Sequence, residues 1–344
     1  ASHLASLTDT LHLTAMLQTH LPELSRAALL PVAQELRELS FVEPAQMARV
    51  FDTHHLALEP SRLAPLTETL QFSAALQREL PAFSTAQLLP VAQELMSASQ
   101  SALSGQWAVT PELFSRHQLA LEPSQLSRLT DTLLTAQTLA TQLPQLSRVE
   151  LLPVARELMA LPSVDAPRIA QAFGAHQLML ESVQLTRLTD ALVASQALAS
   201  QFPQFSHGEW LSVAGELTTL AIVTPPAVQD VMSRHELALA PQGLSQLTDT
   251  LRLSSALTTL LPEVSLAQLL PLATQLSAQP TLSAPALQEL VSQQHLDLTP
   301  QAWTQLSDTL TLTGTLQTLA PELATPQLVP LATMLHDVQP DGVS

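Results

Sequence analysis

Leucines recur along this chain at helical spacing, and the pattern itself recurs about every 59 residues. From Pro60 to Leu80, the side chains of Leu63, Leu66, Leu70, Leu76 and Leu80 fall near one face of a helix with 3.6 residues per turn. The motif Leu-Thr-Asp-Thr-Leu, or a near copy, opens six equivalent segments. Its first leucine stands at Leu7, Leu66, Leu129, Leu188, Leu247 and Leu306, with successive differences of 59, 63, 59, 59 and 59. A fixed period of this length is the signature of a repeat array rather than of separate globular domains. The predicted fold is all-α, an α-solenoid of about six 59-residue three-helix repeats spanning 1–344. The repeats, R1 to R6, begin near residues 1, 60, 123, 182, 241 and 300. Six near-identical repeats are also compatible with closure into a ring.

Start and stop signals divide each repeat. Pro60 suits a first helical turn, where a missing N–H costs nothing. Pro81 ends that helix, because the residue before a proline is pushed out of the α region. The same stop recurs at Pro22, Pro144, Pro203, Pro262 and Pro321. A helix of about 19 residues spans roughly 28 Å. The second helix opens on a capping box: Ser147 with Glu150, Ser206 with Glu209, Ser84 with Gln87, Ser265 with Gln268. Ser25 keeps only the cap, and Ala324 has lost it. A proline column inside this helix (Pro31, Pro90, Pro153, Pro271 and Pro330, with Ser212 in R4) predicts either a kink or a restart at the proline. The third helix is shorter, for example Pro44 through Met47, Val50 and Phe51, and ends in segments such as Leu56-Ala57-Leu58, Leu119-Ala120-Leu121 and Leu237-Ala238-Leu239, read as extended crossings between repeats. The four extra residues of the long period fit a loop insertion around Ser104-Gly105-Gln106.

Composition narrows the function classes. Apolar residues make up 46% of the chain, enough for a continuous core, and only 7 glycines favour helices over strands. The net charge is -17, and all 13 basic residues are arginines. This balance argues against binding a phosphate backbone or an anionic membrane surface, and no apolar run reaches the length of a membrane span. With no cysteine there is no disulfide, thiol catalysis or Cys-based zinc site. The chain begins at Ala1 without Met. With the absence of Lys and the polar, weakly charged surface, this makes secretion or surface display the favoured location.

Candidate chemistry lies in columns. A histidine recurs at His54, His117, His176 and His235; R5 has Gln294 there, followed by His295, which aligns with His55. As a metal ladder this fails on spacing: helical layers lie about 10 Å apart, while ligands sit roughly 2 Å from an ion. The expected role is at the third-helix C-terminus, bonding the last carbonyls and favouring the dipole. One acid column holds Asp9, Glu68, Asp131, Asp190, Asp249 and Asp308; a second holds Glu35, Glu94, Glu157 and Glu216, then lapses to Gln275 and Met334. Paired carboxylates serve acid–base chemistry or calcium elsewhere, but repeated acids here read as a solvated face or as hydrogen bonds between layers. Thr8/Thr10, Thr67/Thr69, Thr130/Thr132 and Thr248/Thr250 read as polar helix surface. Trp107, Trp210 and Trp303 occupy different places in the repeat, and Trp107 in the insertion is the best single contact candidate.

No nucleophile-elbow, zincin, P-loop or dinucleotide motif is present. No catalytic, cofactor-binding or metal residue is therefore assigned, and no cofactor is expected. The layered logic is that of HEAT and armadillo arrays, but the repeat is longer and lacks their signature positions. The expected function is a non-enzymatic scaffold that self-assembles or stacks through its repeat faces, as a homo-oligomer or filament. The alternatives are a module gripping another protein or a peptide and, more remotely, an α/α toroid enzyme. Expected partners are protein, self or other, with no nucleic acid and no membrane insertion.

Overall fold

In a computed structural model the described residues are 2–38, 43–56, 58–101, 110–161, 164–278, 284–293, 296, 298–320, 322–323 and 325–338. They form 17 α-helices and no strand. R1 comprises α1 (Ser2–His20), α2 (Arg26–Glu38) and α3 (Pro44–Thr53). R2 comprises α4 (Pro60–Glu79), α5 (Thr85–Ser101) and α6 (Pro111–Arg116), and R3 comprises α7 (Pro123–Gln142), α8 (Arg148–Ala160) and α9 (Ala166–Ala175). R4 follows with α10 (Ser182–Gln201), α11 (His207–Thr218) and α12 (Pro225–Arg234), then R5 with α13 (Pro241–Leu260), α14 (Leu266–Ala278) and α15 (Ala284–Gln293). R6 contributes α16 (Pro300–Leu319) and α17 (Thr325–Val338). Each repeat thus opens on a long helix followed by a shorter one, and in R1 to R5 a third helix comes next.

The boundary signals act as the sequence predicts. The residues before the stop prolines, Leu80, Leu143, Phe202 and Leu261, all leave the α region, with φ near -124° and ψ 67° at Leu80. At Ser206 both halves of the capping box close: Glu209 N donates to Ser206 Oγ at 3.2 Å, and Ser206 N donates to Glu209 Oε2 at 2.7 Å. The pairs Ser84/Gln87, Ser147/Glu150 and Ser265/Gln268 repeat that geometry.

The proline column differs from expectation in one respect. Each second helix runs unbroken across its proline, with no restart at Pro31, Pro90, Pro153, Pro271 or Pro330. In α2, Leu29 before the proline and Val32, Ala33 and Leu36 after it enter the same apolar cluster. That burial holds both halves in line against the one lost backbone hydrogen bond. The expectations for residues 102–109 (the insertion and Trp107) and for Ala57, Gln294, His295, Pro321 and Ala324 fall outside the described residues.

The third helix ends in a feature the sequence hides. His54, His117, His176 and His235 are its C-cap residues, and the next residue in each case is left-handed: His55 (φ 57°), Gln118 (58°), Gln177 (60°) and Glu236 (59°). Leu56 N donates to Phe51 O at 2.9 Å and His55 N to Asp52 O at 3.0 Å. These two bonds define a Schellman motif, built here without its usual glycine. Among described residues, those after this turn form no regular element.

The chain divides into two compact units, residues 1–157 and 158–344. In the N-terminal unit, α1 packs on α2 and on α5 of the next repeat, while α3 packs on α2 and α4. Its core joins Leu17, Leu29 and Leu36 of R1 to Met47, Val50 and Phe51 of α3 and to Leu66 and Leu70 of R2. The C-terminal unit repeats the rule: α10 packs on α11 and α14, α13 on α14 and α17, and α12 on α11 and α13. One of its clusters joins Leu217 to Val228, Val231 and Met232 and to Leu247 and Leu251; another joins Leu276 to Leu287, Val291 and Leu306. In R1, R4 and R5 the first helix therefore packs on its own second helix and on the second helix of the next repeat. The third helix supplies apolar residues between two repeats.

Candidate functional site

Two columns that read as independent in the sequence meet. Nε2 of His54 lies 2.9 Å from Glu35 Oε2, His117 Nε2 2.9 Å from Glu94 Oε2, and His235 Nε2 2.9 Å from Glu216 Oε1. An ionised carboxylate only accepts, so Nε2 carries the hydrogen in each pair. The contact ties the second helix to the end of the third within one repeat. The histidine's expected place at the C-cap is correct, but the expected side-chain partner is not: the ring bonds this glutamate. At Glu35, Glu94 and Glu216 the second acid column is accordingly neither a free solvated face nor a bond between layers. In two repeats an arginine joins the pair, with Arg116 Nη1 at 2.6 Å from Glu94 Oε1 and Arg234 Nη1 at 2.7 Å from Glu216 Oε2. The sequence carried one signal of this pairing. In R5 both columns lapse together, to Gln275 and Gln294.

At Asp9 and Asp190 the first acid column does bond between repeats. Ser84 Oγ donates to Asp9 Oδ1 at 2.8 Å, and Ser265 Oγ to Asp190 Oδ1 at 2.7 Å. In both cases the N-cap serine of a second helix reaches the first helix of the preceding repeat, so one hydroxyl caps a helix and joins two repeats. Burial raises the Asp190 carboxyl above its ordinary value, opposed by the Ser265 hydrogen bond. Burial likewise raises Asp249, opposed by Arg252, and Glu79, opposed by Arg156 and then Arg128. His20 and His207 are lowered by burial.

The surface reading holds for Thr8, which is exposed, and Thr130 is half-buried, but most of the threonine columns correct it. Thr10, Thr67, Thr69, Thr132, Thr248 and Thr250 are buried. Each hydroxyl donates to the carbonyl four residues earlier, as Thr67 does to Leu63 O at 2.8 Å and Thr248 to Leu244 O at 2.7 Å. A hydroxyl satisfied by its own helix can enter a core without an external partner, and its methyl packs like that of valine. Trp210 is fully buried, with its ring 5.5 Å from Phe202 and 5.5 Å edge-on from Phe205, and its Nε1 donates to Phe202 O at 3.3 Å.

Among the described residues no three His, Asp or Glu side chains converge to hold a metal ion. Each His–Glu pair is half-buried and already bonded, which suits a helix clamp. Ser195 lies 3.1 Å from His207 Nε2, but its hydroxyl is fully buried and donates to Leu192 O at 2.9 Å. It is thus closed to a substrate. No described helix is long and apolar enough to cross a membrane.

The remaining feature is an uncovered apolar face. Leu7 of α1 is 62% exposed, whereas its five counterparts Leu66, Leu129, Leu188, Leu247 and Leu306 are buried. Leu4 and Leu11, one helical turn to either side, are exposed as well. At the other end Leu312 and Leu316 of α16 are half-buried and Leu319 is exposed, although the counterparts of the first two, Leu253 and Leu257, are fully buried. No known family model matches the chain, and no curated protein or solved structure matches it significantly.

Proposed function

We propose that this chain is a non-enzymatic scaffold: an α-solenoid that self-assembles or stacks through its repeat faces. The observation that carries the reading is the exposure of Leu4, Leu7 and Leu11 on α1. A leucine stripe of this kind is the surface that an interior repeat offers to the repeat before it. Leaving several leucines in water forgoes roughly 1.5–3 kcal/mol each, so a second copy that covers them gains that burial. The mating surface is the trailing face of α16, with Leu312, Leu316 and Leu319. Joining two different faces is a heterologous contact, and it extends into a filament unless rotation closes it. A surface with 12% charged residues offers little repulsion against this.

Sedimentation velocity over a concentration series tests the reading. The expected result is concentration-dependent growth in mass, abolished by Leu7→Glu. Strictly monomeric behaviour at the highest concentrations would sink it. Electron micrographs of the same samples separate filaments from rings.

A further inference from the structure

The residue that ends each first helix differs from repeat to repeat: His20, Glu79, Gln142, Gln201, Leu260 and Leu319. At two junctions its partner on the following repeat is defined. In R4, Gln201 Nε2 donates to Thr250 Oγ1 of R5 at 2.9 Å. In R2, Glu79 Oε1 lies 3.3 Å from Arg156 Nε on α8 of R3, and Arg128 on α7 of R3 acts electrostatically on the same carboxylate. Arg156 Nη1 also donates to Arg78 O at 3.4 Å, so its guanidinium holds the end of α4 at two points. Elsewhere the position is not matched. Among the described residues, His20 Nε2 is buried without a hydrogen-bond partner, and so is the hydroxyl of Thr309, which takes the place of Thr250 after a repeat that ends its first helix in Leu260.

The acid and its arginines occur together and once. Glu79 is the one acid among those six residues, and R3 is the one repeat with arginine at both facing places. R1 and R2 have neither arginine, R4 keeps Arg187 beside Gly215, and R5 and R6 carry a glutamine and a threonine (Gln246 and Thr274, Gln305 and Thr333). The two ends of the contact are also unequal. The Glu79 side chain is 14% exposed and that of Arg156 56%, and Arg128 is exposed as well. Against a repeat without these arginines the carboxylate would stay covered and unpaired, whereas an arginine without its acid turns to water. We propose that Glu79, Arg128 and Arg156 form a register lock: they make R3 the repeat that fits the face of R2 and exclude the other repeats, whether of the same chain or of a second copy. Leucine faces this alike discriminate poorly by themselves, and misassembly is a characteristic failure of repeat proteins. A covered charge that one neighbour neutralises discriminates by penalising the rest. The lock sits at an interior junction, so it operates whether or not copies stack on one another.

The test gives R3 the face of R5. In the full chain, Arg128→Gln/Arg156→Thr installs the residues that R5 and R6 carry at those places, and Glu79→Gln installs the residue that ends the first helix in R3 and R4. Hydrogen–deuterium exchange of α4, α7 and residues 148–157 reads the opening of the junction, at dilutions where sedimentation shows a monomer. The Arg128→Gln/Arg156→Thr chain is expected to exchange about tenfold faster than the parent in these segments, or more. Adding Glu79→Gln restores protection to within about threefold of the parent, and Glu79→Gln alone costs less than about threefold. Unchanged exchange in Arg128→Gln/Arg156→Thr overturns the proposal. So does a triple variant as open as the double, because the arginines then pack without discriminating. Glu79→Gln that opens the junction as far as the arginine replacements overturns it too, since the acid is then a strut. If the double variant does not fold, circular dichroism of the triple decides: a helical triple variant upholds the lock and an unfolded one overturns it.

Discussion

Leu7 and Leu66 hold the same place in the same motif, on α1 and α4, yet one is largely in water and the other has none of its surface exposed. The motif around them is nearly identical, so helix propensity and amphipathic pattern cannot account for the difference. What differs is the neighbour. Leu66 belongs to a cluster with Met47, Val50 and Phe51 of α3, and Leu7 belongs to none. The same contrast separates Thr67, buried, from Thr8, exposed, although each bonds the carbonyl four residues back, at 2.8 and 2.9 Å. In a repeat array the worth of a side chain is set by the adjacent layer. A repeat face with no neighbour packed against it thus carries the whole apolar pattern and realises only part of its stabilisation.

The largest test of this contrast is a pair of truncations. Leu66→Ala should cost about 2–5 kcal/mol in urea unfolding, while Leu7→Ala should stay within about 0.5 kcal/mol under conditions that keep the protein monomeric. Equal losses would break the comparison. Next come the capping serines. Ser84→Ala removes both a cap and the bond to Asp9, and about 2 kcal/mol is expected. Ser25→Ala removes the cap alone, for about 1 kcal/mol. A double-mutant cycle with Asp9→Ala isolates the bond between repeats. The His–Glu clamp acts within a repeat, so His117→Ala should cost only about 1 kcal/mol, discounted for its partial exposure. A gain is expected at the left-handed residue: Gln118→Gly should raise stability by about 0.5–1 kcal/mol by relieving a positive φ.

The smallest effect concerns pH. Burial lowers His20 and His207 from the ordinary 6.5, so the unfolded chain takes up those protons first. Stability should therefore decline as pH falls below 6.5, until the lower folded values are passed. Asp190, Asp249 and Glu79 act in the opposite sense. Their folded values are raised, so they favour the folded state as pH falls through those values toward the ordinary 3.8 and 4.5. Urea midpoints measured at about pH 7.5 and about pH 5.5 should differ less in a His20→Gln/His207→Gln variant than in the parent.

The candidate sites were legible in unequal measure. The capping serines were readable because a cap and its glutamate or glutamine lie three residues apart, within one helical turn. The bond from Ser84 to Asp9 crosses 75 residues, and only the general expectation of contacts between layers pointed to it. The clamp between Glu35 and His54 left a fainter trace, the joint lapse of both columns in R5, because side chains on different helices share no local pattern. The buried threonines read as surface in the sequence because a polar side chain looks like surface until its hydroxyl is seen bonded to its own helix and a neighbour covers it.

The sequence alone determined the helices and their ends: the leucine spacing, stop prolines and capping boxes act over a few residues, where local sterics and backbone hydrogen bonding decide the outcome. Tertiary structure alone decided which copies of one motif are covered, which glutamate holds which histidine, and that Glu79 meets Arg156. Burial and pairing depend on what stands across a gap between helices, and a repeat that looks the same in every copy does not reveal whether its neighbour is present.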